Sequence, residues 1–177
     1  MGSDFIVRVA NIEDAGAIAK IHIDAWRSTY SRIIPKPILD GLSYDQRVSF
    51  WRSQISELMD PAVVFVAEDS RYGLVGFASG GLNRDQPEEY DGELYAIYLI
   101  EYYQRRGIGR ALFDHVSEYL RTHGIQSMIV WVLEDNPFRV FYESLGGEQV
   151  AQRRIAIVDA GLPELAYGWK DLDRLKK

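Results

Sequence analysis

Between Gln104 and Arg110 the chain reads Gln-Arg-Arg-Gly-Ile-Gly-Arg. Two glycines one residue apart, ringed by arginines, suit one task above others: holding a phosphate. An apolar β-type run, Leu94 to Ile100, enters this stretch. Behind it Ile108, Leu112, Val116, Tyr119 and Leu120 recur at helical spacing. Strand, glycine turn and helix start form a cradle for an anion. The first N–H groups of a helix have no partner inside it, and its dipole favours negative charge there. Glycine adopts positive φ and lets a ligand approach the main chain closely. The stretch therefore predicts a pyrophosphate site over Arg105, Arg106, Gly107, Ile108, Gly109 and Arg110, held mainly by main-chain N–H groups.

Three glycine-loop patterns compete for this reading. A P-loop needs four residues between its glycines, then Lys and Ser or Thr, and no such string exists here. A dinucleotide fingerprint needs a third glycine, where this chain has Leu112. The third pattern, Q/R-x-x-G-x-G/A, is met by Gln104, Gly107 and Gly109. That is the acetyl-CoA signature of the GNAT superfamily of N-acetyltransferases, which this sequence resembles. A second motif runs from Glu134 to Gly147: Asn136-Pro137-x-Arg139-x-Phe141-Tyr142-x-x-Leu145-Gly146-Gly147. It is similar to the family's N-P-x-R-x-F-Y-x-x-L-G-G helix. Two motifs at the family's separation are far more specific than either alone.

The resemblance implies chemistry as well as fold. An amine must be neutral to attack, yet an alkyl amine of pKa ~10.4 is unprotonated in only about one molecule in two thousand at pH 7. A positioned base lifts that penalty, and an acid assists the departing thiolate. By resemblance to the histone-acetylating branch, Glu93 at the start of the central strand is the candidate base. Its bland alternative is a solvated strand-edge carboxylate. Other branches place the base on the next strand, where this chain has Val130, and Glu134 lies further along. Tyr142 is the implied acid, otherwise a packing aromatic. The main chain of Ile97, Tyr98 and Leu99 would pair with pantetheine, with an N–H near Leu99 facing the thioester carbonyl. Asn136 would touch the pantetheine arm, cap its own helix, or do both. Direct transfer needs no covalent nucleophile, so the lack of cysteine is no obstacle.

The elements that must position these residues follow from patterning. Phe5 to Ala10 alternates as a strand. Asn11 caps a helix that places Ala15, Ile18, His22, Ala25 and Trp26 on one face. His22 is either a satisfied core histidine or a substrate-side group. Trp26 and Tyr30 either pack or wall an acceptor pocket. Pro35 and Pro37 break the pattern; one short helical turn, Ile38 to Leu42, precedes a helix opened by Ser43-x-x-Gln46 and ending near Asp60-Pro61. By resemblance this helical segment builds the acceptor site. Ala62 to Glu68 and Leu74 to Gly80 form a hairpin. Asn83 to Gly92 is polar and acidic, either a solvated loop or an electrostatic lip for a cationic amine. After the central strand and its helix, which Gly124 closes, Ser127 to Leu133 is a strand. A helix capped by Asn136, with Pro137 at its first position, runs to Gly146-Gly147. Gln149 to Val158 and Glu164 to Leu172 are the last strands, joined by Asp159 to Pro163.

The order β-α-α-β-β-β-α-β-α-β-β predicts an α/β fold with a mixed sheet. By resemblance it is the GNAT fold, a mostly antiparallel sheet flanked by helices with splayed central strands. At 177 residues and 47% hydrophobic content, one domain spanning 1–177 is expected. Met1-Gly2-Ser3 is set aside as an expression scar. No apolar run reaches membrane-spanning length, so no membrane partner is expected, and a cytoplasmic location follows. A net charge of −6 argues against nucleic acid. No metal is expected, since no His, Asp or Glu cluster has ligand spacing. The reading is thus an acetyl-CoA-dependent N-acetyltransferase acting on a small amine, amino acid derivative or polyamine, or else on a protein N-terminus or lysine. The rival from another class is a non-catalytic acyl-CoA-binding or sensing module. The resemblance also admits a homodimer, without a residue that requires one.

Overall fold

A computed structural model describes residues 5–85, 87, 89–157 and 161–175. Seven strands form one sheet: β1 (Phe5–Val9), β2 (Val63–Asp69), β3 (Gly73–Leu82), β4 (Gly92–Leu99), β5 (Met128–Leu133), β6 (Glu148–Ile155) and β7 (Leu162–Trp169). Their spatial order is β1-β2-β3-β4-β5-β7-β6. Every neighbouring pair is antiparallel except β4 and β5, which run parallel. The mixed, mostly antiparallel sheet expected from the sequence is therefore present.

Helix α4 (Ile108–Thr122) makes the parallel crossover and covers one face. Its stripe of Ile108, Leu112, Val116 and Leu120 is fully buried against β2, β3, β4 and β5. The helix sits close because β3 offers glycine beneath it. A Cβ on Gly80 would lie 2.6 Å from a Val116 methyl and 2.9 Å from the Glu93 carbonyl. The other face is covered by α1 (Ala15–Thr29) and α3 (Tyr44–Ser56), with the short α2 (Lys36–Asp40) between them. Ile18, Ala19 and Ile21 of α1 and Trp51 of α3 pack there on Val64, Val66 and Phe77. Asn11 caps this end through a reciprocal box with Asp14, and Ser43 accepts the Gln46 N–H to start α3.

Tyr95 is an extra residue in the β3–β4 ladder: Ser79 pairs with Ala96, yet Gly80 pairs with Leu94. This bulge reverses which face each following residue addresses. Leu94, Ile97 and Leu99 pack with α4, whereas Ala96 and Tyr98 pack toward α1 and α3.

Several boundaries differ from the sequence reading. Helix α3 stops at Ser56, where the Glu57 N–H closes on Ser53, well before Asp60. The helix expected at Pro137 is α5 (Arg139–Ser144). Asn136 accepts the Phe138 N–H at 2.8 Å, forming a turn ahead of the helix rather than its cap. Strand β7 begins at Leu162, because Leu162 and Pro163 pair with Ile155 and Arg154, and it ends at Trp169. Leu172 lies instead in a 3₁₀ turn and is buried beside α4. Val158, Asp159 and Ala160, assigned to a strand end and its loop, fall outside the described residues, as does Met1-Gly2-Ser3.

Candidate active site

Strands β4 and β5 pair at only two positions, Gly92 with Met128 and Glu93 with Ile129. Beyond these they part, although β4 keeps its ladder to β3 as far as Leu99 and β5 keeps its ladder to β7 as far as Leu133. A cleft of about 410 Å³ opens between them, lined by both strands, the C-terminal part of α1, the glycine turn and α5.

The glycine turn closes one end. Gly107 has φ of 81° and Arg105 has φ of 60°, so two left-handed residues bend the chain just before α4. The first helical bond runs from the Ala111 N–H to the Gly107 carbonyl. The N–H groups of Ile108, Gly109 and Arg110 thus begin the helix without an acceptor behind them. Ile108 plants its side chain in the core, and a Cβ on Gly109 would stand 3.4 Å from the Phe141 ring. Gln104, Arg105, Gly107, Gly109 and Arg110 all line the cleft. Arg110 also pairs with Asp114 at 3.0 Å. Arg106 points elsewhere, over the rings of Tyr102 and Tyr103.

Tyr142 lies in the cleft wall with only 9% of its surface exposed. It stacks on Tyr167 at 6.1 Å. Burial, aided by nearby Tyr98, pushes its phenol well above the ordinary tyrosine range. The hydroxyl therefore keeps its proton throughout the physiological range. Asn136 sits beside it in the wall and donates from Nδ2 to the Tyr30 hydroxyl at 3.1 Å. Trp26 donates from Nε1 to the Tyr98 hydroxyl at 2.9 Å. Tyr30 lines the cleft, while Trp26 reaches it through Tyr98. Burial raises the phenols of Tyr30 and Tyr98 as well. Ile97, Tyr98 and Leu99 form the β4 wall.

His22 lies behind that wall. Its ring stacks on Tyr98 at 5.0 Å, and Nδ1 accepts the Trp51 Nε1–H at 3.1 Å. Burial, with a smaller push from Arg47, pulls its pKa down to about 3. It is a neutral imidazole carrying its proton on Nε2, and it does not line the cleft.

Glu93 is 4% exposed and likewise absent from the cleft lining. Arg84 grips it in a fork, Nη2 to Oε1 at 2.6 Å and Nε to Oε2 at 3.0 Å, and the Arg84 N–H adds a third bond at 3.1 Å. The guanidinium then lies 3.9 Å above the Tyr95 ring, which does line the cleft. The structure thus gathers Tyr142, Asn136, Tyr30, Tyr98 and the glycine turn around one space. Glu93 is set one residue pair before that space opens. The polar segment after β3 is tied down rather than solvated throughout. Asn83 donates to the carbonyls of Pro87 and Tyr90, and Asp85 is bonded by Arg153. Gln86 and Glu88 lie outside the described residues. Arg84, Tyr95, Trp131 and Arg153 escaped the sequence reading, because only folding brings two turn or strand arginines over two strand aromatics.

The model of the Acetyltransferase (GNAT) family matches residues 21–146, which hold the first motif, the second as far as Gly146 and the whole cleft between β4 and β5. The chain belongs to the GNAT acetyltransferase family. It is similar to the Bacillus subtilis (strain 168) protein named "Uncharacterized N-acetyltransferase YuaI", at 46% identity over 170 residues, 96% of this chain and 95% of that one. Among solved structures, an N-acetyltransferase from Staphylococcus aureus Mu50 superposes with a TM-score of 0.71 at 20% identity, covering 96% of this chain and 99% of that one. The PaiA N-acetyltransferase from Thermoplasma acidophilum, solved in complex with coenzyme A, gives 0.67 at 17% identity, covering 96% and 100%. The GNAT chain is accordingly an N-acetyltransferase, and its sheet with parted central strands is the fold of those structures. Among the described residues no helix is long and apolar enough to cross a membrane, and no group of three or more His, Asp or Glu is placed to hold a metal ion.

Proposed function

We propose that this GNAT protein transfers an acetyl group from acetyl-CoA directly to a primary amine, with both substrates bound together in the β4–β5 cleft. The observation that carries the reading is the junction of a helix N-terminus, a parted strand pair and a buried protonated tyrosine around one cavity. The cradle fits the group. A Cβ added at Gly107 would meet nothing within 4 Å, so the main chain there faces open space. The N–H groups of Ile108, Gly109 and Arg110, with Arg105 beside them, supply donors and positive charge for a diphosphate. Ile97, Tyr98 and Leu99 border the gap left by the parted strands, where their main chain pairs with an extended pantetheine arm as with an added strand. An N–H near Leu99 faces the carbonyl on which charge develops.

Acetyl-CoA supplies the activated acetyl group; the chain supplies position and protons. Tyr142 presents a proton at the departing sulfur, and burial prevents its loss to solvent. Asn136 is held by Tyr30, which fixes the wall against which the arm lies. Glu93 serves as the final proton acceptor, reached from the amine through water, since its carboxylate is held by Arg84 before the cleft opens. The CoA complex of the PaiA protein supports the cofactor assignment.

Thiol release from acetyl-CoA over a panel of amines, run beside calorimetry with CoA, tests the reading. Release that depends on the amine, with CoA bound at micromolar strength or better, is the expected result. Tight CoA binding with background release unaffected by any amine would leave a non-catalytic acyl-CoA module.

A further inference from the structure

Where β4 and β5 first part, two rings of the cleft wall each carry an arginine. Arg84 lies 3.9 Å from the centroid of Tyr95, and Arg153 of β6 lies 4.0 Å from that of Trp131. Tyr95 and Trp131 both line the cleft, two residues beyond the last β4–β5 pair. Each guanidinium is also fixed by carboxylates. Arg84 holds Glu93, while Arg153 donates from Nε to Glu164 at 2.9 Å and from Nη1 to Asp85. Asp85 follows Arg84 directly in the chain, so both arginines flank one place.

Both arginines keep N–H donors beyond those the neighbouring carboxylates take. Each of the three carboxylates already carries a guanidinium. A guanidinium has five N–H donors, and these bonds occupy two on each arginine. The Trp131 indole N–H is buried with no acceptor among the described residues. Stacking on a ring fixes the guanidinium plane and strips water from one side, which favours a planar anion at its edge. Arginine's fork matches a carboxylate in shape and charge.

We infer that the acceptor amine carries a carboxylate, held by Arg84 and Arg153 at the parting of β4 and β5, and that it is a free amino acid or a related amino carboxylate. The inference rests on the transferase reading above and narrows its acceptor.

The test measures steady-state thiol release over free amino acids, each paired with its own carboxamide, and over short peptides. At least one amino acid is expected to exceed its carboxamide by about tenfold or more in kcat/KM, the worth of one hydrogen bond to a charged group. Arg153→Met combined with Glu164→Gln removes the arginine and neutralises its buried partner, while Asp85, its other carboxylate, stays in contact with water. In that double variant the acid-to-carboxamide ratio is expected to fall by about fivefold or more, chiefly through KM. Carboxamides or peptides turned over as well as free acids would overturn the carboxylate assignment and leave the transferase standing, as would a ratio unmoved in the double variant. Release that no amine raises above background would overturn both.

Discussion

Tyr142 and His22 show how burial assigns a protonation state. Both are aromatic, titratable and 9% exposed. Burial drives the tyrosine pKa up and the histidine pKa down, so each is held in its neutral form. In the proposed reaction that neutral form of Tyr142 is the proton donor. Tyr142→Phe is expected to lower kcat by about 10²-fold or more, the usual reach of a positioned acid, while CoA affinity in calorimetry changes little. Unchanged turnover would remove Tyr142 from the acid role. For His22 the consequence is stability. Its folded pKa of about 3 lies below the unfolded value, so the unfolded chain binds the extra proton first. Its contribution is full above about pH 6.5 and is lost as pH falls toward 3. Denaturant unfolding at pH 7 and pH 4.5 should show a larger loss for the parent than for His22→Phe. Equal losses would mean that His22 is not neutral in the fold. The sequence placed His22 on the inner face of α1 but left its role open, since Trp51 and Tyr98, which decide it, come from other elements.

The turn before α4 works through its backbone. Gly107 adopts a left-handed conformation that costs other residues about 1–2 kcal/mol, and its α-hydrogen faces open space. Gly107→Val is expected to lower stability by roughly that amount and to weaken CoA binding by about tenfold or more, because the new side chain stands over the unpaired N–H groups. Thermal melts and calorimetry on one sample separate the two effects. Gly107→Asn should keep most of the stability, since asparagine tolerates this φ, yet still lose affinity. Full affinity in both variants would mean that the phosphates bind elsewhere. This turn was legible because strand, glycines and helix are consecutive in sequence. The start of α5 was less so. Asn136 and Pro137 look like cap and first turn, but Asn136 spends its Oδ1 on Phe138 and its Nδ2 on Tyr30, and the helix waits until Arg139.

The sheet creates the site by failing to close at one seam. Five of the six neighbouring pairs are antiparallel; the single parallel seam joins β4 to β5 through α4, and pairing there ends after Glu93 and Ile129. Helix α4 seals one face of the seam and α1 borders the other. The Tyr95 bulge turns Tyr98 toward α1, where Trp26 and His22 meet it. One cavity is thus bordered by the glycine turn before α4, by α5 with Tyr142, and by aromatics from α1. In the proposed reaction both substrates share this space, which favours direct transfer over a covalent relay.

Local pattern by itself determined the element order, the glycine turn at Gln104 to Arg110 and the helix bearing Tyr142. Each is written in consecutive residues whose spacing, capping and φ preference act at short range. Tertiary structure alone decided that Glu93 is locked by Arg84, that His22 is shut behind Tyr98, and that Arg84 and Arg153 lie on cleft rings. Those outcomes depend on the β4 bulge and on contacts between residues as far apart in the chain as His22 and Tyr98. A one-residue bulge reverses the facing of a strand, and no composition or period in the chain announces it.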